Sequence, residues 1–224
     1  MANYDKVILR GIELDALYKG DTKIYPIEAS TIYYKTSDGS LMNFTQSRNT
    51  ESPYIGSSNG FTQDGHYLSI ISNTYSQGQG VLTLQGVVNK VGCLICPTGA
   101  FISGDLIRPK VTEITFPNTI TTLDRYAFFY LTNLDSVTLP DSVTNVNNYF
   151  LDSSSITSLK MKSTTAPIIS NSKFQNAPKG LTLYYPKGSD YSTWITAANG
   201  LNWTFVEYET EGSSSSEELE AEEW

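Results

Sequence analysis

The stretch that decides the fold is Val111-Thr-Glu-Ile-Thr-Phe-Pro-Asn-Thr-Ile-Thr-Thr-Leu-Asp-Arg-Tyr-Ala-Phe128. It lies without a gap over Leu134-Asp-Ser-Val-Thr-Leu-Pro-Asp-Ser-Val-Thr-Asn-Val-Asn-Asn-Tyr-Phe-Leu151, an offset of 23 residues. Val111 matches Leu134, Ile114 matches Val137, and Phe116-Pro117 matches Leu139-Pro140. Ile120 then falls on Val143, Leu123 on Val146 and Tyr126 on Tyr149. Repetition at such a period marks an architecture of stacked units.

The spacing explains how one unit works. In Ile114-Thr115-Phe116 alternate residues point inward, as a short strand requires. Proline ends the strand because it lacks the N–H that a continuing ladder would use. Ile120 and Leu123 turn a second side of the coil inward, and Tyr126-Ala127-Phe128 supplies bulk for a third. One coil cannot bury its apolar face alone; stacked coils bury it against each other.

Working outward, a third unit opens at Ile156-Thr-Ser-Leu-Lys-Met161 and a fourth at Leu181-Thr-Leu-Tyr-Tyr-Pro186. In the fourth, Tyr185-Pro186 stands where Leu139-Pro140 stood. Upstream, the stretch Val81 to Val91 reads as a degenerate first unit, with Val88 and Val91 at the places of Ile120 and Leu123. Downstream, Trp194, Trp203 and Phe205 are placed to close the open end of the last coil. The spacing predicts a short helix over 191–198, stopped at Asn199-Gly200.

Units of this form resemble BspA-type leucine-rich repeats. The resemblance covers about residues 81–206 and is strongest over 111–151. Two departures stand out: the family's usual Gly after the second apolar position is Asp124 in one unit and Asn147 in the other, and the expected Cys after the Phe is absent. What the resemblance implies is display and binding rather than catalysis.

The N-terminal segment reads as small strands joined by turns at Gly11 and Gly20-Asp21. Within it, Leu17-Tyr18-Lys-Gly20-Asp-Thr-Lys-Ile24-Tyr25 resembles a short motif near the ends of tailed-bacteriophage structural proteins. A plain β-hairpin cap on the repeats is the alternative reading of the same residues. Residues 31–80, rich in Ser, Asn, Gln, Gly and Tyr, suggest irregular β-structure with long loops. The expected organisation is therefore mainly β: an N-terminal β anchor or cap (1–30), an irregular β region (31–80), a short BspA-like solenoid with a C-terminal cap (81–206), and an acidic tail (207–224).

Charge supports this division. Of the 23 acidic residues, eight lie between Glu207 and Trp224 with no base among them, leaving 15 acids against 15 bases in the rest. A neutral body with no Lys/Arg cluster carries no footprint for nucleic acid. The first ten residues lack the basic stretch and apolar run of a secretory signal, so none is expected there. No apolar run approaches the roughly 18 residues of a membrane-spanning helix.

Candidate chemistry is sparse. The single His, His66, has no nucleophile motif with it. Cys93-Leu-Ile-Cys96 lacks the strand–helix setting of a redox pair and the four ligands of a structural zinc site. Two cysteines filling the core side of a coil is the preferred reading; a redox or metal role for the pair is the minor one. Asn43-Phe-Thr45 and Asn202-Trp-Thr204 are glycosylation sequons. No catalytic, cofactor-binding or metal-ligating residue is expected, and no cofactor.

The functional expectation is a non-enzymatic structural or binding protein: a bacteriophage virion component, head- or tail-fibre-like, binding host surface or glycan through its repeats. The alternative is a bacterial cell-surface or secreted adhesin. Its partners would be other virion proteins or itself as a homo-oligomer, and a host-surface protein or glycan, with neither nucleic acid nor membrane insertion. Exposed Tyr and Asn of the strand face would make the contacts.

Overall fold

A computed structural model describes residues 16–19, 22–26, 29–42, 60–64, 66–94 and 110–210. Before the repeats come β1 (Ala16–Lys19), β2 (Thr22–Pro26), β3 (Ala29–Thr36), β4 (Phe61–Gln63) and β5 (His66–Tyr67). Next are β6 (Ile70–Ser76), β7 (Gln79–Gln85), β8 (Lys90–Val91), β9 (Val111–Thr115) and β10 (Thr122–Leu123). The remaining strands are β11 (Ser136–Leu139), β12 (Asn145–Val146), β13 (Ser158–Met161), β14 (Ile168–Ile169), β15 (Thr182–Pro186) and β16 (Thr204–Tyr208). Helix α1 (Ser192–Ala197) lies between the last two.

The repeats wind as the spacing predicts, one long and one short strand per coil. The long strands stack in parallel in the order β11-β13-β15-β16. Register sets Val137 beside Leu159, then Leu183, then Phe205. The short strands β8, β10, β12 and β14 stack on the other side, with Val91, Leu123, Val146 and Ile169 in one row. Val91 therefore occupies the place its sequence spacing assigns it.

The third side is held by rings. Phe116, Phe128, Phe150 and Phe174 follow one another at centroid separations of 6.0, 6.1 and 6.0 Å, and Trp194 lies 5.1 Å from Phe174. These tilted and edge-on contacts are the favoured aromatic geometries. Here the gapless alignment shifts: the Phe128 amide donates to Phe150 O at 2.9 Å, so Phe150 rather than Leu151 is its neighbour. Tyr126 still donates to Tyr149 O. The first coil holds one residue more at this corner, where Tyr126 takes the left-handed φ of 65°.

The missing glycines are replaced by side-chain turns. The Asp124 carboxylate accepts the Arg125 amide at 2.8 Å, and Asn147 Oδ1 accepts the Tyr149 amide at 3.1 Å. The Asn147 bond, to the amide two residues on, mimics a backbone turn. Lys90, one coil earlier, pairs with Asp124 at 2.8 Å.

The degenerate first unit departs from the repeat. Its second side joins the stack through β8, but its first strand does not pair in parallel with β9. Instead β3 lies between them, antiparallel to both, in a sheet ordered β9-β3-β7-β6. The described part of residues 31–80 is correspondingly more regular than expected from composition. In β3, Ser30, Ile32, Tyr34 and Thr36 point inward and alternate with exposed or half-buried neighbours. β6 and β7 form a hairpin turned by Gln77 and Gly78, both at positive φ (51° and 78°), as two-residue hairpin turns prefer. The Tyr34 ring lies flat over Gly80, where an added Cβ would come within 2.2 Å of it. Its hydroxyl donates to Asn73 Oδ1 at 2.7 Å, and Asn73 Nδ2 donates to Met42 O at 2.7 Å.

The cap at the other end forms as expected. Helix α1 ends at Ala197, with Ala198 as its C-cap and Gly200 beyond it at φ 83°. Trp194 is fully buried and donates to Pro167 O at 2.7 Å. Trp203 stacks on Phe174 at 4.8 Å. Phe205 does more than cap: it sits in β16, which extends the parallel sheet by one strand and takes in Glu207.

Two predictions follow from this packing. Phe150→Ala removes the middle ring of the stack and should lower unfolding free energy by about 3–5 kcal/mol in urea denaturation. At the N-terminal sheet, Asp38 accepts from Lys110 and from Ser40, and these bonds lower its carboxyl from 3.8 to about 2. The folded state thus favours the ionised form, so its stabilisation is complete above the ordinary carboxylate range and is lost as pH falls from about 4 towards 2. The stability difference between wild type and Asp38→Asn should be constant from neutral pH to about 5 and shrink below it, most of it gone by about pH 2.

Candidate functional site

The parallel sheet exposes one face to solvent, because in each strand alternate residues point away from the coil interior. Register arranges these outward residues in rows across the strands. Ser136, Ser158, Thr182 and Thr204 form one row, a hydroxyl on every strand. Thr138, Lys160, Tyr184 and Val206 form the next. Beyond them Lys162 follows β13, and Tyr208 stands beside Pro186. Neighbours in a row are about 4.8 Å apart, the spacing of paired strands.

Tyr208 does not project freely. Its hydroxyl donates to Met161 O at 2.7 Å, and Lys160 Nζ lies 4.3 Å from its ring centroid. Burial raises the Tyr208 hydroxyl above its ordinary value, which keeps it a donor. The ring thereby reaches across β15 and fixes the position of Lys160 by a cation–π contact.

The face ends at a cleft. β9 pairs with β3 on one edge, and no backbone hydrogen bond joins its other edge to β11. The opening between them has a volume of about 440 Å³. Glu113 and Phe116 line one side; Ser136, Thr138, Lys160 and Lys162 line the other. Lys35 pairs with Glu113 at 2.7 Å, which compensates that carboxylate. No carboxylate among the described residues pairs with Lys160 or Lys162.

The sequence candidates are scattered. His66 is exposed on the two-residue strand β5, opposite Gln63. Cys93 is buried against Phe129, outside the main core, and is disulfide-bonded rather than the free thiol the core-filling reading assumes. Cys96 and Asn43 lie outside the described residues. Asn202 is exposed beside Trp203. No three His, Cys, Asp or Glu side chains among the described residues gather as a metal site. Of the outward tyrosines, Tyr184 and Tyr208 stand on the face, whereas Asn145 belongs to the opposite sheet. The face residues themselves were missed from sequence; their signal was the second and fourth positions after Leu134 and Ile156, and the first and third after Leu181.

Residues 107–193 match the family model described as "BspA type Leucine rich repeat region (6 copies)". This segment is similar to BspA-type leucine-rich repeats. The match brackets the coils from β9 to the start of α1 and leaves out the antiparallel sheet and β16. No curated protein and no solved structure matches the chain. No described helix is long and apolar enough to cross a membrane.

Replacing Tyr208 by Phe removes only its bond to Met161 O. Thermal or urea unfolding should show a loss of about 1 kcal/mol, and a loss near zero would mean that the ring's position does not depend on that bond.

Proposed function

We propose that this chain is a non-enzymatic surface-binding protein that presents the outward face of its parallel sheet to a partner. The observation that carries the reading is the register itself: polar and aromatic side chains are set in straight rows on a rigid, BspA-type repeat scaffold. A sheet whose interior rows are filled by Val137, Leu159, Leu183 and Phe205 holds its exterior rows still. Residues held still lose little freedom on binding, which favours recognition. BspA-type repeats are typically binding and adhesion domains, and such proteins are commonly found at the bacterial cell surface.

The placement of the protein is a second step. The segment that resembles a phage structural motif folds as the hairpin β1–β2, a two-stranded sheet of its own without ladder bonds to the others. An element that pairs with no other sheet among the described residues suits attachment, and this favours a virion component whose N-terminal part joins other virion proteins or further copies of itself. The repeats would then face a host-surface protein or glycan. A cell-surface adhesin is the alternative.

Immunoblotting of fractions from the organism that makes the chain separates these readings. A band in density-gradient-purified phage particles is the expected result. A band in the outer membrane or culture fluid would replace the virion by the cell surface. A chain confined to cytosol would sink the surface-binding reading altogether.

A further inference from the structure

The cleft between β9 and β11 is not a regular feature of stacked repeats. It arises because β3 draws β9 into an antiparallel sheet with a register irregularity between Val111 and Glu113, while β11 stays with the parallel stack. What lines it is chemically one-sided. Lys160 in β13 and Lys162 just after it lie two residues apart, so both side chains serve the same face. The nearest acid in the lining, Glu113, is compensated by Lys35. Two positive charges, one of them held over the Tyr208 ring, therefore line this opening without a carboxylate partner among the described residues.

We propose that this cleft and the adjoining rows form a binding site for an acidic polysaccharide, a deepening that rests on the surface-binding reading above. Its carboxylates would meet Lys160 and Lys162. Its ring hydroxyls would exchange hydrogen bonds with the row Ser136, Ser158, Thr182 and Thr204, each both donor and acceptor. Tyr184, directly across from Lys160, gives the apolar face of a sugar ring an aromatic surface. The rows present hydroxyls and ammonium groups rather than the apolar anchoring pocket from which a peptide partner draws specificity. Its repeated hydroxyls instead suit a ligand that is itself a repeat. Charge gives the attraction, and the hydroxyl rows give the preference for sugar over other polyanions.

The test uses the full chain in titration calorimetry against polygalacturonate, neutral dextran and poly-L-glutamate. Binding to polygalacturonate is expected, weakening as salt rises, with none to dextran and weaker binding to poly-L-glutamate. The double variant Lys160→Ala/Lys162→Ala should lose about tenfold in affinity, the worth of two exposed charge contacts. Lys173→Ala/Lys179→Ala, which removes two exposed lysines from turns outside the four strands, should stay within about twofold. Matching melting temperatures would establish that both variants are folded. Equal affinity of wild type and the Lys160/Lys162 variant would overturn the site. Equal binding of poly-L-glutamate would overturn the sugar, and absence of polygalacturonate binding would overturn both. A chain found on particles or cells that fails this titration removes the cleft proposal and leaves the surface-binding reading standing.

Discussion

Everything in this fold depends on one constraint: a coil of some two dozen residues cannot enclose its own core and must lend its interior to the next. The rows Val91–Leu123–Val146–Ile169 and Val137–Leu159–Leu183–Phe205 are that loan made visible. Stacking also has a polar half. Thr119 and Ser142 each donate to a carbonyl of the preceding coil, Val88 O and Ile120 O, both at 2.7 Å. Thr121 and Thr144 do the same to Asn89 O and Thr121 O. The Ser/Thr content that looks like loop composition is thus a seam of coil-to-coil hydrogen bonds. Thr119 and Ser142 thereby give Val88 O and Ile120 O a donor at corners where the chain leaves its ladders.

The same constraint makes the two ends a problem, since each terminal coil has one uncovered side. The C-terminal end is closed locally. Trp194 fills the interior, Trp203 covers Phe174, and β16 adds a strand whose Phe205 continues the apolar row. The N-terminal end is closed by chain from far away in sequence: β3, β7 and β6 form an antiparallel sheet whose inner residues Ile32, Tyr34, Leu82 and Leu84 join the same core.

That difference decides how much could be read from sequence. The coils were readable because their apolar positions recur at nearly constant spacing and pair with local neighbours. The C-terminal cap was readable because bulky aromatics and Asn199-Gly200 sit directly after the last unit. The insertion of β3 between β7 and β9 was not, since an antiparallel pairing across so many residues leaves no periodic trace. β3 also hid its own alternation: its inward positions include Ser30 and Thr36, whose hydroxyls reach Gly86 O and Ser40 O. A pattern search for apolar residues passes over such a strand. The binding face shares both fates. Its outward residues follow once the strands are known, but the rows require exact register between coils of unequal length. The one-residue difference between Tyr126–Phe128 and Tyr149–Phe150 shows how a gapless alignment loses that register.

The cleft follows from the way the N-terminal end is closed. On the short-strand side the ladder runs unbroken from β14 to β8 and on to β4, so the capping module cannot rotate as a body away from the repeats. On the long-strand side β9 must satisfy an antiparallel partner, β3, while facing a parallel stack. Antiparallel and parallel ladders place their hydrogen bonds differently along a strand. A strand held on one edge by the first pattern, and bent by an irregularity at its start, is poorly set to offer the second pattern on its other edge. The mismatch leaves β9 and β11 side by side without a ladder between them. Exposed strand edges are normally blunted by charge, and the lysines on β13 and the Lys35–Glu113 pair stand beside this one. A gap between two sheets, forced by capping and fringed with charge, is therefore where this scaffold gains a concave polar surface that its regular coils do not have.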